Sequence, residues 1–488
     1  MIATVMAART QNPMSPPKPF ASMPTMTARA RPRSPEESNP FMITHLAHEG
    51  METPVFNLIT IDADKSPVGN VMLNDEQECK RILVNSEGIW QKGPQTYEPF
   101  LSLVPKHLIG LEGPYHEFLR EKAQDALAEA LLNGRVPGER VANKLVNAIH
   151  KAIANPQTTS WIGKPAKFEN REPCLVITEF QRVIRSAALE LVTETLFNHS
   201  WNVIDDYTAK NDKAYTLQLL MSELHYRVTD LTRRSWRRNH REEPVGSLQD
   251  KLDLFILSEI DASSARSQGP ETCMLDSWTR DVSLSREEIR NLCMTFLTMG
   301  SENVSTGLAW LGVYLSESPE DWQVKVRTNR EDRIQAFHDA MRLSPSVAVL
   351  TRTNTRDTVL CGYELPRFTE VIVNMYSVHR NEQTWGANSG AFCPFAREVP
   401  LSTTEGPPFA FPFGGGKRNC IGRPLTMHEL DTIFTKLVQN FRLIAVQDEG
   451  NGVVVRNPHA ETQPNSFISL RPGSHQIALV PLKPASKI

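Results

Sequence analysis

Cysteine, charge of one sign and long apolar runs are all scarce in this 488-residue chain, and each shortage removes a class of explanation. The seven cysteines (Cys79, Cys174, Cys273, Cys293, Cys361, Cys393 and Cys420) stand singly, without any Cys-x-x-Cys pair. An odd, scattered set in a long chain argues against a secreted disulfide scaffold and against structural zinc. It points to reduced thiols in an intracellular, cytoplasmic setting. One cysteine is still available as a ligand for something else. Lys plus Arg total 53 against 56 for Asp plus Glu, so no global field selects nucleic acid or an anionic membrane as partner. The longest nearly uninterrupted apolar stretch, Leu308–Leu315, falls far short of the roughly 20 residues that span a bilayer, so no transmembrane anchor is expected.

What is present divides at about residue 38. Residues 1–38 are a basic, proline-rich extension, with Arg9, Lys18, Arg29, Arg31 and Arg33 and no acid before position 36. An organelle transit peptide over residues 1–35 is one reading. A disordered extension is the favoured one, because Pro13, Pro16, Pro17 and Pro19 break the helix that a transit peptide would use. Residues 39–488 read as one domain. Residues 53–83 alternate as strands and then supply a helix with Cys79, Ile82 and Leu83. Helical periodicity runs through His116–Leu131, Ile177–Leu196, Ala214–Ser235 and Ser285–Ser316, whereas turns, prolines and short β-branched runs dominate after 345. That order, without repeats or a linker, predicts a mainly α domain with small β-sheets, an α+β arrangement. The dense basic run Arg233–Arg241 reads as a solvated helix end, since Glu242, Glu243 and Pro244 follow at once.

The informative stretch is Phe411–Leu425. Three glycines let the backbone approach a flat partner closely. An arginine follows, then Cys420, then a helix starting near Ile421, so the dipole and free N–H groups would favour a thiolate. Phe413-x-x-Gly416-x-Arg418-x-Cys420-x-Gly422 resembles the haem-binding loop of the cytochrome P-450 superfamily at every defining position, with Glu429 where that family's proximal helix carries an acid. The resemblance implies that Cys420 is the axial thiolate on the iron of haem b and that Phe413 shields the sulfur.

Three further segments resemble the same family. Met299-Gly300-Ser301-Glu302-Asn303 resembles the oxygen-binding helix. There Gly300 would open a kink and Glu302 would relay protons, but Asn303 stands where a threonine is usual. An amide cannot pass a proton through one atom as a hydroxyl does. Asp339-x-x-Arg342 resembles the Glu-x-x-Arg core lock, with Arg397 as its third partner. His116 and Arg120, on one helical face, together with Arg352 and Arg418, are the implied propionate contacts. By position alone, Met299, Val347 and Val349 would line the substrate pocket. The short Pro319–Asp339 connection and the missing anchor suggest a soluble, bacterial-like type, and Asn303 makes its oxygen-binding helix atypical.

The resemblance implies a monooxygenase that inserts one oxygen atom from O₂ into a small, largely apolar organic molecule, in secondary metabolism. Electrons would come from NAD(P)H through a separate ferredoxin or flavoprotein reductase docking on Lys417, Arg418 and Arg423, with the enzyme a monomer. Asn303 keeps open oxidative coupling, cyclisation or rearrangement of a peroxide or epoxide. A non-catalytic haem binder is the remaining alternative.

Overall fold

The computed structural model describes residues 22–23, 25–29, 55–61, 67–84, 88–155, 161–169, 171–208, 210–229, 242–266, 270–395, 412–448, 453–456, 464–466, 469–473 and 475–482. Helices make up most of it. The helix Phe180–Phe197 is buried along almost its whole length, and its buried charges Arg185, Glu190 and Glu194 are ion-paired with residues of other segments. Against it packs Glu302–Ser316, itself almost entirely buried. Helix starts follow local chemistry. Ser285 and Glu288 form a reciprocal capping box at the head of Arg286–Met299, and Asn329 caps Arg330–Leu343 by accepting from Glu331 and Asp332 N–H.

Two sheets flank the helices. One is six-stranded, in the order Thr25–Arg29, Val55–Ile61, Pro67–Leu73, Glu370–Asn374, Val349–Asn354 and Trp90–Gln91. The other closes on itself from Phe441–Asp448, Val453–Val455, Lys164–Phe168, Glu172–Ile177 and Ile477–Pro481. The hairpins Thr358–Leu365 and Pro464–Pro472 complete the β-structure. Among the described residues no helix is long and apolar enough to cross a membrane.

Several expected elements shift. The six-stranded sheet begins inside the extension, since Thr25–Arg29 pairs in parallel with Val55–Ile61. Flanking prolines and arginines hide that strand in the sequence, whereas its Thr-x-Thr pattern suits pairing once a partner edge exists. The expected helix Ser285–Ser316 is two helices, Arg286–Met299 and Glu302–Ser316. The basic run 233–241 lies outside the described residues, as does most of residues 1–38.

Candidate haem-thiolate site

The loop that carries Cys420 is shaped by glycine in a way the sequence alone does not disclose. Gly414 and Gly416 have φ of +69° and +61°, which L side chains rarely adopt. A Cβ on Gly416 would stand 2.8 Å from the carbonyl oxygens of both Leu83 and Val84. The close approach made by Gly415 and Gly416 is therefore to the end of the helix Glu76–Leu83. Cys420 N–H donates to Phe413 O at 2.8 Å and closes the loop. The helix that follows starts at Arg423, two residues later than expected, with Gly422 as its cap.

Cys420 is accessible to solvent, yet it sits within the mass of the protein. Burial pushes its pKa up, while the N–H groups of Gly422 and Arg423 and the charges of Arg120 and Lys92 pull it down. Phe413 packs with its centroid 6.5 Å from Phe337 and lies under the Arg423 guanidinium at 5.7 Å. Glu429, on the same helix, is buried with both carboxyl oxygens unpartnered, and burial pushes its pKa well up.

Beside the loop is an excess of positive charge. Arg120 donates to Asn419 Oδ1 at 2.5 Å; Arg418 donates to Leu111 O at 2.7 Å and pairs with Glu112. Arg352 is buried on its strand, with Nη1 donating to Thr351 O at 2.8 Å. Lys92, which the sequence reading missed, joins them. Burial, Arg352, Arg418 and Arg120 push its pKa well down, with Glu112 the one opposing charge. His116 is buried and driven to about 3 by burial and by Arg418, Lys92 and Arg120, so it is a neutral imidazole. Arg418 Nη1 is buried without a partner. Four basic side chains gathered beside the loop, with one buried guanidinium nitrogen unbonded, could receive anionic groups.

Haem fits these observations. It brings two carboxylates to the cations and an iron to a thiol that has no second ligand nearby. Among the described residues no group of three His, Cys, Asp or Glu side chains could hold a bare metal ion.

The split helix is tied to this loop through its neighbours. His107 Nε2 lies 3.1 Å from Thr298 Oγ1, and four residues later Leu111 receives Arg418. The break falls at Gly300, where a Cβ would stand 2.5 Å from Phe296 O. Met299, Gly300, Asn303, Val347 and Val349 are half-buried, and Ser346 Oγ donates to Asn303 O at 2.7 Å, which brings the two segments together. The Asn303 side-chain oxygen is buried without a partner.

Glu302, expected as a proton relay, sits in an ion-pair network. Its carboxylate accepts from Ser469 at 2.6 Å and from Arg471 at 2.7 Å through both guanidinium arms, and Arg185 lies 3.2 Å away. Burial alone would raise its pKa, but these partners hold it at about 2. The carboxylate is thus held charged by partners from two other elements. No local motif signals it, because Arg185 and Arg471 lie far away along the chain.

The Asp339–Arg342 pair is fully buried at 2.7 Å. Arg342 also donates to the carbonyls of His379, Ser389 and Ala391 and stacks 5.2 Å from Trp385, while Asp339 accepts from Cys393 N–H at 2.8 Å. Backbone groups thus engage the pair; Arg397, its expected third partner, lies outside the described residues. The expected docking face also narrows. Lys417 is exposed, but Arg418 turns inward and Arg423 lies over Phe413.

Comparison with known proteins gives one family. The Cytochrome P450 family profile matches residues 139–465. Cytochrome P450 709B1 of Arabidopsis thaliana is 23% identical over 434 residues, 82% of this chain and 79% of the relative. The 11-oxo-beta-amyrin 30-oxidase of Glycyrrhiza uralensis is 26% identical over 46% of this chain and 45% of its own length. The mouse leukotriene-B4 omega-hydroxylase 3 is 27% identical over 43% and 42%. In fold, the crystal structure of a cytochrome P450 (CYP102L1) superposes with a TM-score of 0.71 over 96% of this chain and 100% of that one, at 20% identity.

Proposed function

Because the chain belongs to the cytochrome P450 family, a family of haem-dependent monooxygenases served by redox partners, we propose that it oxidises a small, largely apolar organic molecule with electrons delivered from NAD(P)H by a separate ferredoxin or flavoprotein. The reading rests above all on Cys420, a solvent-accessible thiol supported by two backbone N–H groups. When bound, the haem supplies O₂ activation. Cys420 would hold its iron, with the Gly422 and Arg423 N–H groups restraining the sulfur's charge. Arg120, Arg352, Arg418 and Lys92 would take the propionates, and neutral His116 would donate one further hydrogen bond. Met299, Val347 and Val349 offer apolar wall, and Gly300 leaves room beside it. Two relatives are named for oxidising a leukotriene and an oxo-amyrin, which supports a small organic substrate.

A second reading is oxidative coupling, cyclisation, or rearrangement of a peroxide or epoxide. One observation favours it: Asn303 occupies the relay position and its amide oxygen is buried and unbonded. The amide can orient a substrate hydroxyl but cannot pass a proton on. A spectral binding screen on the haem-loaded protein, followed by turnover of the hits, separates the two. Product formation with O₂ and a reductase supports the first. Conversion of a peroxide or epoxide without reductant supports the second and overturns the first.

A further inference from the structure

His107 is 1% exposed and stands between the helix Pro94–Leu103 and the short 3₁₀ turn Leu108–Gly110. Its two ring nitrogens have different partners. Nδ1 accepts from Ile109 N–H at 3.2 Å, so that nitrogen carries no proton. Nε2 lies 3.1 Å from Thr298 Oγ1, whose single proton is already given to Met294 O at 2.7 Å. Nε2–H therefore donates and Thr298 accepts, and both partners select the same neutral tautomer. Burial and the charge of Lys92 disfavour the charged ring as well. Backbone bonds complete the turn: His107 N–H donates to Val104 O and Gly110 N–H to His107 O, each at 3.0 Å. Phe100 packs edge-on against the ring at 6.0 Å.

The same short segment then reaches the cysteine loop. Leu111 O accepts from Arg418 Nη2 at 2.7 Å, and the Glu112 carboxylate pairs with Arg418 and accepts from Lys92 N–H at 2.5 Å. Thr298 stands one residue before Met299 and two before the break at Gly300, while Arg418 stands two before Cys420. Residues 107–112 are thus bonded to the split helix at one end and to the thiolate loop at the other. We propose that His107 is a positioning residue: its Nε2–H bond to Thr298 latches residues 107–112 onto the split helix and thereby fixes Arg418 beside the thiolate. A segment held at both ends conveys a displacement, whereas one free at either end absorbs it. Losing the latch would leave a buried hydroxyl without its donor, and the segment would relax to satisfy it. Nothing in the sequence marks the contact, since 191 positions separate its two residues. The inference rests on the haem-thiolate reading.

The test uses the haem-loaded protein and one readout for each end of the segment. Affinity for 4-phenylimidazole, an apolar ligand that binds haem iron from the pocket side, reads the split helix. The rate of haem transfer to apomyoglobin reads Arg418. His107→Asn keeps an acceptor for Ile109 N–H but loses the Nε2 donor, whereas His107→Gln keeps a donor for Thr298. The asparagine variant should bind 4-phenylimidazole about three- to tenfold more weakly and lose haem about three- to tenfold faster. Glutamine should hold both within about twofold of wild type. Thr298→Val should match asparagine, and the double variant His107→Asn/Thr298→Val should be no worse than either single one. Should His107→Asn not load haem, Thr298→Val against Thr298→Ser carries the same comparison, with serine near wild type. A purely structural role would lower the melting midpoint of the asparagine variant and leave both readouts unchanged, which overturns the proposal. So does either readout moving without the other, glutamine as impaired as asparagine, or additive effects in the double variant. If the wild type lacks the thiolate-type CO spectrum, the haem reading itself fails, an outcome separate from all of these.

Discussion

The cysteine loop and the split helix both carry a motif of the same family, yet they are built on opposite principles. In the loop, the residues that matter are neighbours in sequence: Phe413 accepts from Cys420, and Gly422 and Arg423 support the sulfur. At the split helix, Glu302 is governed by Arg185 and Arg471, more than a hundred residues away on either side. A motif that closes on itself keeps its chemistry wherever it is read. A motif whose acid faces outward into the fold takes its chemistry from whatever packs against it.

The largest expected effect breaks the support beneath the loop. Asp339→Ala would leave Arg342 charged and uncompensated at zero exposure, costing about 3–5 kcal/mol and lowering the yield of haem-loaded protein. Denaturant unfolding measures it, and a loss below about 1 kcal/mol would show that the pair does not hold the segment leading to the loop. Acid should strike next. His107, His116 and His379 are each held at about 3 against an ordinary 6.5, so the folded state keeps them neutral. Their contribution is complete above pH 6.5 and is lost as pH falls from 6.5 towards 3, because the unfolded chain binds those protons first. Glu302, held at about 2 against 4.5, adds stability above pH 4.5 that is lost only as pH falls towards 2. The melting midpoint should therefore decline from just below neutrality. His379→Gln, if folded, should flatten the slope between 6.5 and 3; an unchanged slope contradicts the assignment.

Smaller effects sharpen the comparison. Lys92→Met should speed haem transfer to an acceptor apoprotein by roughly tenfold, and Arg418→Met by more, as each removes a charge-assisted contact to a carboxylate. Equal transfer rates in wild type and Lys92→Met would remove Lys92 from the site. Ser285→Ala, at the capping box of the upstream half-helix, should cost about 1 kcal/mol and leave the haem spectrum unaltered.

These contrasts explain what the sequence discloses. The mainly helical fold, the helix with buried Cys79, Ile82 and Leu83, and the loop itself follow from periodicity and short-range spacing. Thr25–Arg29 escapes notice because a strand needs a partner edge, and that edge is Val55–Ile61. Lys92 escapes because nothing nearby marks it; only the folded chain sets it beside Arg120, Arg352 and Arg418. Asp339 and Arg342 are read correctly as a pair from their spacing, but their backbone partners from His379 to Cys393 depend on how a loop is threaded.

The central claim is a bond from the Cys420 sulfur to a haem iron. The most direct measurement is the CO difference spectrum of the reduced, haem-loaded protein beside that of Cys420→Ala. The account predicts the red-shifted thiolate-type band in the wild type and its loss in the variant. The same band in both proteins, or an imidazole-type band in the wild type, would contradict it.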